Sequence, residues 1–167
     1  MPFTPLHFGP HACVALPLRR YVDLPVFLLA NVVVDIEPLL VLTFNLSYPL
    51  HGYCHTLLIG GLLGFLLATI AFPFRGVLRA AMRRARLPYE PSFMKMAIAG
   101  VAGAWLHVLF DATIYHEIDL FWPIYGNPLY GLSSYQALSR LCLACFIPAF
   151  AIYVFIVVHT ERRTADS

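Results

Sequence analysis

Seven ionisable side chains stand in stretches too apolar for them: Asp35, Glu37, His51, His55, His107, Asp111 and His116, with His7 as an eighth near the start. They fall into short motifs, Asp35-Ile36-Glu37, His51-Gly52-Tyr53-Cys54-His55-Thr56 and His107-Val108-Leu109-Phe110-Asp111. Acids and histidines inside a bilayer are costly and by default mark a functional site. Imidazole and carboxylate together ligate zinc, manganese or iron. A divalent cation would neutralise the acids and offset their burial, lower the pKa of a water, and polarise a phosphoryl or carbonyl oxygen. His107 and Asp111 share a helix face, since residues four apart align. His55 opens an apolar segment, with Gly52 permitting a close approach and Thr56 placed to cap the helix or support a ligand.

The chain that must position these groups is 60% hydrophobic and 12% charged over 167 residues. Its mean hydropathy of +0.74 excludes an ordinary soluble protein. The length allows one domain, residues 1–167. Apolar segments cover about 24–46, 55–73, 93–115 and 137–158, each near the ~20 residues that span hydrocarbon. A shorter one covers about 6–18. The expected fold is therefore all-α: a polytopic membrane helix bundle of four spanning helices plus a shorter N-terminal helix. The first eighteen residues lack a basic start and hold Pro5, Pro10 and Pro17, so no cleavable signal is expected.

Ten of the eleven Lys and Arg residues fall on one side if the segments alternate; only Arg140 falls on the other. By the positive-inside rule the basic side, with the C-terminus, is cytoplasmic, as in a bacterial inner membrane. Trp122, Tyr125 and Tyr130 suit an outer aromatic belt. Residues 75–90 read as a basic amphipathic anchor on anionic headgroups. No basic surface domain exists to bind nucleic acid. Gly60/Gly64, Ala99/Gly103 and Gly100/Ala104 repeat a small-x3-small theme that supports close helix packing and permits an oligomer. Pro148 is expected to kink the last helix.

Cys142 and Cys145 form C-x-x-C inside an apolar helix, where thiolate chemistry is disfavoured. No G-x-S-x-G or other covalent nucleophile signature appears.

Depth follows from distance to the basic residues. His7 lies twelve residues before Arg19, and His107 twelve after Lys95, about 18 Å along a helix in each case. Asp35 lies fifteen after Arg20, part of it loop. His7, Asp35 and His107 are thus expected at one level near the bilayer centre, with Asp111 one turn further out. His51, His55, His116 and Asp119 are expected nearer the outer surface. Each residue has a plainer reading too. Asp35 is equally an acid hydrogen-bonded to Asn31, one turn before it. Glu37 precedes Pro38 and marks a helix break. His11 reads as structural and His159 as interfacial.

The ordered motifs resemble the YdjM-type family of membrane-bound metal-dependent hydrolases. That family shows an early histidine, an acidic motif like P-D-I-D, an R-G-x-T-H-S box, and H-x3-D followed by L-W-P. Here stand His7, Val34 to Glu37, His51 to Thr56, His107 to Asp111 and Phe121-Trp122-Pro123, matching in order over residues 1–130. The opening M-P-F-T-P-L-H-F-G-P is similar to that of a sub-branch known only as hydrolases. The resemblance implies His7, Asp35, His55, His107 and Asp111 as metal ligands. Departures are His51 in place of the family's arginine, Glu37 as the second acid, and Pro38 where a histidine follows it. There is a looser likeness to zinc-dependent phospholipase C.

The reading is a membrane-embedded metal-dependent hydrolase holding zinc foremost, with manganese or iron as other candidates. Metal-activated water would attack an ester, a lipid-borne phosphoester or another lipophilic substrate, from the outward half of the bilayer. Glu37, His51 or His116 would move protons. Two other readings stand beside it: a non-enzymatic metal or proton carrier, and a structural membrane protein whose polar cluster pins helices.

Overall fold

Four polar side chains begin four of the long helices, each accepting a backbone N–H three residues on: Asp23 from Val26, Thr56 from Ile59, Ser92 from Lys95 and Ser134 from Ala137. Each satisfies a donor that a helix start leaves unpaired. The computed structural model describes residues 5–165, with side chains through Thr160. Met1 to Thr4, part of the sequence resemblance, and the side chains of Arg162 and Arg163, used in the charge reading, lie outside the described residues.

The order is α1 (Phe8–Leu18), α2 (Leu24–Val34), α3 (Ile36–Phe44), α4 (Leu57–Ala71), α5 (Arg75–Arg84), α6 (Phe93–Ala112), α7 (Tyr135–Ala144) and α8 (Phe146–Ala165). Short 3-10 turns precede α1 and α4 and join α4 to α5. No strand occurs among the described residues. Four helical stretches are long and apolar enough to cross a membrane: Leu24–Phe44, Leu57–Arg84, Phe93–Ala112 and Tyr135–Thr160. The N-terminal helix is shorter, so the all-α bundle of four spans plus one is what the chain forms.

Three of the spans are broken, each at a proline: Leu24–Phe44 at Pro38, Tyr135–Thr160 at Pro148, and Leu57–Arg84 at the turn holding Pro73. Pro38 lacks the N–H that would bond the Val34 carbonyl, and α2 ends at Val34 with Asp35 as the joint. Pro148 likewise leaves the Ala144 carbonyl without its partner, and α7 gives way to α8 at Cys145. The first break puts an acidic residue at a bend in mid-span. Cys13 donates its thiol to the Cys145 carbonyl at 2.9 Å, using the second break to dock α1. Cys142 and Cys145 are free thiols.

Helix packing rests on small residues. Gly64 of α4 and Gly100 of α6 face each other so closely that a Cβ on either would strike the other's carbonyl. Gly103 meets the Phe27 carbonyl of α2, where an added Cβ would come to 2.6 Å. In lipid, where apolar burial drives little, this backbone approach holds helices together. α6 therefore runs between α2 and α4, and its buried face carries Gly100, Gly103, His107 and Asp111. The segment 75–90 becomes α5, a basic helix whose one buried residue is Met82.

Candidate metal centre

Asp35, His55, His107 and Asp111 come from three elements and meet in one buried group, each offering a ligand atom within 4.8 Å of the others. Asp35 is supplied by the α2–α3 break, His55 by the turn before α4, and His107 and Asp111 by successive turns of α6. His107 Nε2 lies 3.2 Å from Asp35 Oδ1 and 3.4 Å from Asp111 Oδ2. His55 Nε2 lies 3.9 Å from Asp35 Oδ1 and 3.8 Å from Asp111 Oδ2.

The other nitrogen of each ring decides what Nε2 can be. His55 Nδ1 lies 3.1 Å from Glu37 Oε2, and an ionised carboxylate only accepts, so Nδ1 carries the proton. His107 Nδ1 lies 2.7 Å from Asn31 Oδ1 and donates there. In the neutral rings both Nε2 atoms are then lone pairs. Both are buried, and neither makes a hydrogen bond among the described residues. Two lone pairs aimed at two carboxylates repel unless a second proton on the ring or a metal cation lies between them. A divalent ion meets that need, and the carboxylate or amide behind each imidazole is the usual support for a metal-bound histidine. The donor set of two nitrogens and two carboxylate oxygens suits a four-coordinate ion such as zinc.

His7 and His51 flank this group. His7 Nε2 is 3.7 Å from Asp111 Oδ1, and its Nδ1 is 3.3 Å from His107 Nδ1. A cavity of about 10 Å³, room for roughly one water, opens beside His7 and Asp111. His51 Nε2 is 4.0 Å from Asp111 Oδ2, its ring stacks on Tyr115 at 3.9 Å, and its Nδ1 donates to Glu117 Oε1 at 2.8 Å. Burial, with His55 adding to it, holds the His51 imidazole below its usual pKa. Burial alone would push Glu117 up, but the His51 hydrogen bond, a backbone N–H and the charges of His51 and His116 together keep this carboxyl below its ordinary range.

The structure therefore gathers seven of the eight residues singled out by sequence. His7, Asp35 and His107 lie together, and His51 and His55 are buried against the same group. Their loop is drawn inward because Glu37 accepts the Gly52 N–H at 2.9 Å and the Cys54 N–H at 3.2 Å. Burial beside Glu37 also raises the Cys54 thiol to about 12, so it remains protonated. Glu37 sits behind His55. His116 is the residue not brought in: its side chain is 78% exposed and pairs with Glu117 Oε2 at 3.1 Å.

Asn31 serves His107 rather than Asp35, and Glu117 links His51 to His116; sequence reasoning missed both roles. The signals were thin: Asn31 stands one turn before Asp35, and Glu117 directly follows His116. His11 is structural in position, with Nδ1 2.7 Å from the His7 carbonyl and Nε2 3.0 Å from the Gly103 carbonyl, tying α1 to α6. Compared with known proteins, the chain matches no family model, no curated protein and no solved structure.

Proposed function

We propose that this chain is a membrane-embedded metal-dependent hydrolase whose ion is held by Asp35, His55, His107 and Asp111. The observation that carries the reading is the pair of buried, unbonded Nε2 atoms of His55 and His107 facing two carboxylates. A zinc ion or similar cation there supplies a Lewis acid and a water of lowered pKa. Glu37 and Asn31 hold the two imidazoles in the tautomer that presents Nε2. His7 stands at the free edge of Asp111, where the water-sized cavity leaves room for the attacking water. His51, hydrogen-bonded to Glu117, and His116, paired with the other Glu117 oxygen, form a line from beside Asp111 to solvent, placed to carry a proton outward.

The substrate class favoured is a lipid-borne phosphoester, because the site lies among spanning helices, and the looser likeness to zinc-dependent phospholipase C hints the same way. With the basic residues on the cytoplasmic side, the site occupies the outward half of a bacterial inner membrane. The test is metal content of the purified chain, loaded with zinc and dialysed, for wild type and for His107→Ala with Asp111→Ala. One or more ions per wild-type chain and none in the double variant is the expected result. A wild-type chain without bound metal would sink the proposal. Phosphodiester and phospholipid cleavage, lost in the same variant, then separates an enzyme from a carrier, which would move ions across proteoliposomes without cleaving anything.

A further inference from the structure

The end of the bundle away from the His–Asp group holds a groove of about 900 Å³ that the metal chemistry does not use. Its walls are the Arg19–Arg20 turn between α1 and α2, residues 88–90 with Lys95 at the start of α6, and the late part of α8 at Phe155, Ile156 and His159. Arg19 Nη1 donates to the Leu16 carbonyl at 3.2 Å, and Lys95 Nζ donates to the Glu90 carbonyl at 3.3 Å. Neutral carbonyls thus fix both cations in place without cancelling their charge. The nearby Asp23 carboxylate is buried and occupied by the Val26 N–H at 3.1 Å and the Tyr89 hydroxyl at 2.7 Å. Glu90 is the one carboxylate on the wall, against Arg19, Arg20 and Lys95. Burial, and then the charge of Arg20, push the Arg19 guanidinium below its usual pKa.

We propose that this groove binds a phosphate-bearing anion between Arg19, Arg20 and Lys95: the headgroup of an anionic lipid whose chains lie along α8. Guanidinium forks match phosphate oxygens, and an ammonium adds a point charge. The lipid source follows from the rim. Phe155 is 63% exposed, and Ala151 and Pro148, four and seven residues earlier on the same face of α8, are exposed as well, so an apolar strip leads away from the groove. The site is independent of the metal reading and stands if that reading fails.

The experiment is native mass spectrometry of the full chain, delipidated in neutral detergent and mixed with phosphatidylglycerol or phosphatidylcholine. Wild type should retain one phosphatidylglycerol per chain in preference to phosphatidylcholine. Arg20→Gln with Lys95→Gln should lower that occupancy about tenfold, from the loss of two cations near the headgroup. Arg20 is exposed, so Arg20→Gln alone, with a smaller loss, guards against misfolding of the double variant. Lys95→Arg should keep the lipid, and Arg83→Gln with Arg84→Gln, which removes equal charge from α5, should leave it bound. Equal losses from the α5 variant, or equal retention of the two lipids, would overturn the proposal. So would displacement of the lipid by millimolar inorganic phosphate, which would reassign the groove to a soluble anion.

Discussion

Glu37 Oε2 lies 3.1 Å from His55 Nδ1, and this contact decides which nitrogen His55 turns toward Asp35 and Asp111. The same carboxylate holds the loop that carries His55, through the N–H groups of Gly52 and Cys54. One residue therefore sets both the loop position and the tautomer of a candidate ligand.

Glu37→Gln and Glu37→Ala should separate those two tasks. An amide still accepts hydrogen bonds but supports the imidazole less, so Glu37→Gln should weaken metal binding by about 10–100-fold. Glu37→Ala should do the same and also unfold more readily, because two loop N–H groups lose their acceptor at about 1–3 kcal/mol each. Chelator competition reads the first effect and thermal unfolding in detergent the second. Unchanged metal affinity in both variants would remove Glu37 from the site.

Asn31→Leu tests the other imidazole. It leaves the His107 Nδ1–H buried without its 2.7 Å acceptor, costing about 1–3 kcal/mol of stability. Metal affinity should fall by about tenfold or more, since His107 is freed to take the wrong tautomer. A variant that binds metal as tightly as wild type would show that Asn31 supports the helix contact alone.

His11→Ala is the contrasting case. His11 is as buried as His107 but has its two nitrogens against the backbone carbonyls of His7 and Gly103, not against carboxylates. Its removal should lower the unfolding temperature while leaving the metal content at the wild-type value. Loss of the ion with the fold intact, checked by size exclusion and circular dichroism, would make His11 part of the centre.

Gly64→Val should disrupt the α4–α6 approach, because the added side chain runs into the Gly100 backbone, which cannot move aside as a side chain can. Overpacking of this kind costs about 1–3 kcal/mol or more. Gly76→Ala meets nothing within 4 Å and should be neutral or stabilising by about 0.5–1 kcal/mol in its helix. Equal thermal stability of the two variants would count against the close helix contact.

Metal retention should fall on acidification. Imidazole ligands bind metal only when unprotonated, so protons compete increasingly as pH drops below the ordinary histidine value of about 6.5, and carboxylates join below about 4. Bound metal measured after dialysis between pH 8 and pH 4 should decline through the lower half of that range. A cluster that serves only to pin helices would show no metal at any pH.

Hydropathy and segment length settled the four spans, because a bilayer demands about 20 apolar residues whatever the partners. Local chemistry also placed a helix start at Thr56 and flagged the breaks near Pro38 and Pro148, since a cap or a missing N–H acts within one turn. The His107–Asp111 pair was legible for the same reason: residues four apart on a helix share a face. The rest depended on contacts between distant residues. Glu37 reaches Gly52 and Cys54 across a loop, and this brings His51 and His55 into the buried group, which counting along the sequence does not show. Asn31 turns to His107 on another helix, and His116 is left in solvent while Glu117 reaches inward. Periodicity encodes which face a residue occupies; which side chain meets it there is decided only when the helices pack.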